Sequence, residues 1–149
     1  MTVLNLPPCD LRIRENDGKQ MILDILRHRF VALTPEEWVR QNFIHFLIEH
    51  KGYPSALLAN EVSLRIGSKS LRADSVLYSP DLQPRMIIEY KAPTVEITQK
   101  VFDQIVAYNL LLHADYLIVS NGMEHYACKL DYEKRGYSFL KEIPEYKDL

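Results

Sequence analysis

Three charged residues in two strand-like segments carry the chemistry this chain could do. Asp74 lies in Leu71-Arg72-Ala73-Asp74-Ser75-Val76-Leu77-Tyr78, and Glu89 and Lys91 lie in Met86-Ile87-Ile88-Glu89-Tyr90-Lys91-Ala92-Pro93. Charges are disfavoured in apolar strands, and burying one unpaired is costly. Residues two apart on a strand point the same way, so Glu89 and Lys91 share a face. An Asp, then Glu-x-Lys on a neighbouring strand, suits metal-dependent attack of water on a phosphodiester. Two carboxylates would hold a hard divalent cation such as Mg²⁺, with Mn²⁺ as substitute, and the lysine would sit beside the attacking water. Both carboxylates would then lie within about 5 Å of each other. The plain alternative is a cross-strand ion pair, Asp74 with Lys91, serving structure only.

The elements that must position these residues are legible in the pattern. Leu11 to Arg14, a turn at Glu15-Asn16-Asp17-Gly18, and Gln20 to Leu23 suggest an N-terminal hairpin. Thr34-Pro35-Glu36-Glu37 reads as a helix start, with Thr34 as N-cap, Pro35 first in the helix and Glu37 where a capping box closes. Glu37, Gln41, His45 and Glu49 follow four-residue spacing and could form the wet stripe of that helix. Lys51-Gly52-Tyr53-Pro54 would end it. Three strands follow, Leu58 to Ile66, Leu71 to Tyr78 and Arg85 to Lys91, joined by short turns that imply an antiparallel meander. A second helix, about Glu96 to His113, carries Ile97, Val101, Ile105, Tyr108 and Leu112 at helical spacing. Two more strands flank Asn121-Gly122, a hairpin signal. The expected domain is α/β, a mixed sheet flanked by helices in the order α-β-β-β-α-β-β. Residues 1–32 would be the hairpin extension, 33–130 the core and 131–149 a polar tail.

The bulk properties bound the class. The chain has 149 residues, 47% hydrophobic and 26% charged, which fits one globular domain. No stretch approaches the roughly 20 apolar residues of a membrane helix. No signal peptide is expected at the N-terminus, and a cytoplasmic location follows by default. Two cysteines are too few for a disulfide framework or a cysteine zinc site. None of the five glycines forms a phosphate-binding run. A formal charge of −2 does not favour nucleic acid, so DNA binding would need local basic clusters or a partner.

Thr34-Pro35-Glu36-Glu37-Trp38-Val39-Arg40-Gln41, Arg72-Ala73-Asp74, Ile88-Glu89-Tyr90-Lys91-Ala92-Pro93, Gln104-Ile105-Val106-Ala107-Tyr108-Asn109 and Ser120-Asn121-Gly122 occur in order, each on its expected element. Together they resemble the PD-(D/E)XK, or restriction-endonuclease-like, nuclease superfamily. Within it, the chain is most similar to the N-terminal nuclease domain of type I restriction enzyme R subunits. Ala73 stands where that family often has Pro.

The resemblance implies an endodeoxyribonuclease of restriction-modification systems. It makes Asp74 and Glu89 metal ligands, adds the backbone carbonyl of Tyr90, and gives Lys91 the attacking water or the transition-state charge. It brings Glu37 toward the metal from the first helix, although a capping box alone would explain a Glu there. Gln104 and Tyr108 match a Q-x-x-x-Y motif in which the Gln reaches toward the site and DNA; Tyr108 also falls on the apolar stripe. Arg72, two residues before Asp74, should share its face and contact phosphate or orient the carboxylate. The ATP-driven motor of R subunits is absent from these residues. The chain would act alone, with motor or specificity subunits, or as a homodimer, since one site cuts one strand. The rival reading is a nucleic-acid-binding or assembly module that keeps the fold without cutting; an RNA substrate is a variant of the main one.

Overall fold

Thr34 turns extended chain into helix. Its backbone is extended (φ −91°, ψ 164°), and its Oγ1 accepts the Glu37 N–H at 3.1 Å. Pro35 opens α1, Pro35–Lys51, and Gly52 ends it in the left-handed conformation at φ 74°. The capping box does not close, because the Thr34 N–H donates to the Ala32 carbonyl instead. The expected wet stripe is also absent: Glu37, Gln41 and His45 are 5%, 0% and 8% exposed.

The computed structural model describes residues 1–149. The N-terminal hairpin forms as β1 (Ile13–Asn16) and β2 (Lys19–Asp24), and β3 (Arg29–Ala32) extends it to a three-stranded antiparallel sheet. The main sheet has six strands in sequence order: β4 (Leu58–Ile66), β5 (Lys69–Tyr78), β6 (Pro84–Tyr90), β7 (Tyr116–Ser120), β8 (His125–Asp131) and β9 (Gly136–Phe139). Every pairing is antiparallel except β6 with β7, which α2 (Gln99–Leu110) connects as a crossover. The sheet is therefore mixed, and the order α-β-β-β-α-β-β is the observed one. Residues 131–149, expected as a tail, instead supply β9 and the buried Ile143.

The two helices cover opposite faces of this sheet. Val39, Phe43 and Leu47 of α1 pack with Met86, Ile88, Tyr90 and Ile118. Phe102 and Val106 of α2 pack with Ile87, Leu117 and Val119. Strands β6 and β7 are thus buried on both sides, which is why they read as continuous apolar runs. By alternation Glu89 belongs with Ile87, on the α2 face. The buried stripe of α2 is Phe102, Val106 and Asn109, not the one centred on Ile105 and Tyr108. Helix α2 is rotated by about one residue from the expected setting.

Alternation slips once in β5. Ala73 and Val76 both pack on the α2 side, and Asp74 sits between them. On the neighbouring strand Asn60 pairs with Ser75 and Val62 with Ala73, which leaves Glu61 opposite Asp74. Glu61 has φ +54°, a left-handed conformation that a non-glycine residue adopts at some cost. The one backbone irregularity shared by β4 and β5 thus falls at the first candidate carboxylate.

Candidate active site

Strand pairing brings the two candidate carboxylates together. Ser75 pairs with Ile88 across β5 and β6, and one step further puts Asp74 opposite Glu89. Their carboxyls are close enough to act on each other's proton affinity. Asp74 Oδ2 also accepts the Tyr90 N–H at 2.9 Å, which fixes its rotamer. Burial raises the Glu89 carboxyl most, the Asp74 charge adds to it, and Asn109 and Lys91 oppose; the outcome is about 9 instead of the ordinary 4.5. Burial and the neighbouring Asp74 charge thus favour the neutral form of the Glu89 carboxyl.

Lys91 follows β6 directly, its N–H donating to the Ser120 carbonyl at 2.9 Å. Its ammonium is close enough to favour the charged form of Glu89. It is in none of the ion pairs of the structure, so an Asp74–Lys91 structural bridge does not form.

Glu37 is near this pair but is otherwise engaged. Arg40 Nη2 and Nε reach its two oxygens at 2.5 and 2.9 Å, Gln41 Nε2 donates at 2.9 Å, and Arg27 Nη2 at 3.4 Å. A carboxylate surrounded by four such donors is well satisfied without a cation. Glu37, Arg40, Arg27, Glu61, Asp74 and Tyr90 are among the residues lining a cleft of about 370 Å³ that Glu89 and Lys91 do not line. No third His, Cys, Asp or Glu converges with Asp74 and Glu89 into a metal-holding group.

The remaining expected residues separate into bracing and exposed positions. Arg72 pairs with Glu61 and not with Asp74: its Nη2 donates to Glu61 Oε2 at 2.5 Å, and the side chain is 70% exposed. Tyr108 is no core residue, being 38% exposed. Its hydroxyl accepts the Arg72 N–H at 2.9 Å and donates to the Arg72 carbonyl at 3.2 Å, bracing β5 two residues before Asp74. Gln104 is exposed on α2. Tyr90 donates its hydroxyl to Ser75 Oγ at 2.9 Å on the α1 side.

Three residues at the site escaped the sequence reading. Arg40, 7% exposed, donates from Nη1 to the Asp74 carbonyl at 3.1 Å and pairs with Glu61 at 2.9 Å as well as with Glu37. It closes a chain of alternating charges, Arg72–Glu61–Arg40–Glu37–Arg27–Asp24, along the cleft. The Glu37 and Arg40 spacing, one helical turn, was the available signal. Glu61 stood out only as a charge within an apolar strand. Asn109, fully buried, lies against Glu89; its place in the 102-106-109 stripe was the missed clue.

The family model described as type I restriction enzyme R protein N terminus matches residues 35–144, which include all the site residues above except Arg27 and Asp24. Among solved structures, a fragment assigned to an HsdR subunit of a type I restriction enzyme from Vibrio vulnificus YJ016 has the same fold, with a TM-score of 0.50 and 22% identity. The alignment covers 76% of this chain and 24% of that one, so the chain spans about a quarter of its length. No curated protein matches significantly.

Proposed function

The chain belongs to the type I restriction enzyme R protein N-terminal family, and from that premise we propose that it is a Mg²⁺-dependent nuclease domain hydrolysing phosphodiesters in DNA. The observation that carries this reading is the placement of Asp74 opposite Glu89 across β5 and β6, where burial and the Asp74 charge push the Glu89 carboxyl up to about 9. Two carboxyls held face to face in a partly dry site need a positive charge between them, and a proton supplies it only in part. The all-oxygen donor pair fits a hard divalent cation, which would retain several waters because only two side chains face it.

Asp74 and Glu89 would hold Mg²⁺, with the Tyr90 carbonyl as a further donor. When bound, the cation would acidify water and offset charge growing on the phosphate. The protein's own part is positioning. Tyr90 N–H and Arg40 fix Asp74 from two sides. Lys91, free of any ion pair, is left to orient the attacking water or meet charge on the phosphate. Glu37 acts through Arg40 rather than as a ligand, and Gln104 has its amide free for DNA. DNA is the substrate proposed, with RNA to be compared directly; motor or specificity subunits, or a second copy, would complete the assembly.

The test is cleavage of supercoiled plasmid and labelled single-stranded DNA with Mg²⁺ or Mn²⁺, with EDTA, and with Lys91→Ala. Metal-dependent nicking lost in Lys91→Ala is the expected result. No cleavage in any condition, with Mn²⁺ still bound, would favour the non-cleaving module or a need for a partner.

A further inference from the structure

Asn109 is fully buried on α2, and its Oδ1 has no hydrogen-bond partner. Its Nδ2 donates to the Ile105 carbonyl at 2.8 Å, which settles which end of the amide carries nitrogen. Buried amide oxygens are nearly always paired, and leaving one bare costs about 1–3 kcal/mol. Phe102 and Val106, the rest of its stripe, are apolar and could be continued by Leu or Val without that cost. The same amide lies against the Glu89 carboxyl. A helix position that packs as core yet carries a half-satisfied amide beside a candidate ligand leaves an acceptor open for a further donor.

Resting on the nuclease reading above, we propose that Asn109 is a positioning residue of the metal site, steadying the Glu89 carboxylate and offering its free Oδ1 to the hydration water of a bound divalent cation. Mg²⁺ and Mn²⁺ retain water when few protein ligands face them. That water is a hydrogen-bond donor, the one thing Oδ1 lacks. Losing a group that orients a metal ligand without touching the metal typically weakens metal binding about 10- to 100-fold.

Asn109→Ala and Asn109→Leu separate this role from packing, the first truncating the side chain and the second keeping its bulk. Mn²⁺ binding is measured by isothermal titration calorimetry on both variants and the wild type. Thermal unfolding is followed in EDTA by circular dichroism. Affinity for Mn²⁺ should fall roughly 10- to 100-fold in both variants. Asn109→Leu should unfold in EDTA at or above the wild-type temperature, because the bare amide oxygen is gone. Wild-type Mn²⁺ affinity in a folded Asn109→Leu would overturn the inference while leaving the metal site standing. Absence of Mn²⁺ binding by the wild type would overturn the metal-site reading and this inference with it.

Discussion

The carboxylate of Asp74 accepts the backbone N–H of Tyr90 at 2.9 Å, so the acid on β5 is anchored to the residue between Glu89 and Lys91. Asp74→Asn keeps an oxygen for that N–H and removes the charge. It should fold, lose most Mn²⁺ affinity and bring Glu89 back toward an ordinary carboxyl. Asp74→Ala should cost about 1–3 kcal/mol by stranding the Tyr90 N–H. Urea unfolding with calorimetric Mn²⁺ titration checks both; equal metal affinity in Asp74→Asn and wild type would refute the assignment.

Glu89 makes stability depend on pH with a definite sign. Its folded value is raised from 4.5 to about 9, so the folded state binds the proton more tightly than the unfolded chain. The contribution is full below the unfolded value and is lost as pH rises through about 9. Metal-free protein should therefore be less stable at pH 9 than at pH 6. Glu89→Gln should remove that slope and stabilise the metal-free protein by on the order of 2 kcal/mol at high pH. Added Mg²⁺ should stabilise wild type most at high pH and leave Glu89→Gln nearly unchanged. Thermal melts across the range, with and without Mg²⁺, give the answer.

Arg40 joins α1 to the strands at Asp74 and Glu61. Burial alone would lower its proton affinity, but the Glu37 hydrogen bonds and charge outweigh that and hold it firmly charged. Arg40→Met should cost about 3–5 kcal/mol, because Glu37 and Glu61 lose their common partner in a largely dry site. Adding Glu37→Gln should recover part of the loss. A double-mutant cycle in urea measures this coupling; strict additivity would show that the pair does not act as a unit.

Tyr108 and Gln104 lie one turn apart on α2 but should behave differently. Tyr108→Phe removes both hydrogen bonds to Arg72 and should cost about 0.5–1.5 kcal/mol. Gln104→Ala, at an exposed position, should leave stability within about 0.5 kcal/mol and lower DNA affinity or cleavage. Unfolding curves paired with a DNA-binding titration separate bracing from contact.

Gly122 sits at φ +86°, and a Cβ there would lie 2.7 Å from Leu4 Cδ2 and 3.2 Å from Val39 Cγ2. Gly122→Ala should cost about 1–3 kcal/mol from backbone strain and overpacking. Combining it with Leu4→Ala should relieve the contact but not the strain, a partial recovery that differential scanning calorimetry resolves.

Local chemistry made much of this molecule readable in one dimension. The ends of α1 follow from Thr34, Pro35 and Gly52, whose capping and dihedral preferences act within a few residues. The strands of the meander follow from short turns, and the Glu89-x-Lys91 pair from a period of two. What only the tertiary structure decided depends on distances between remote segments. Whether Glu37 faces a cation or a cation-like side chain turned on Arg40 and Arg27, which supply the positive charge first. The rotation of α2 turned on packing, since Phe102, Val106 and Asn109 and the stripe through Ile105 and Tyr108 are both admissible helical faces, and the sheet accepts one. The placement of Asp74 turned on a slip in alternation opposite Glu61, which no periodicity announces. Period and capping are properties of neighbours in sequence; the partner that satisfies a buried charge is a property of the folded chain.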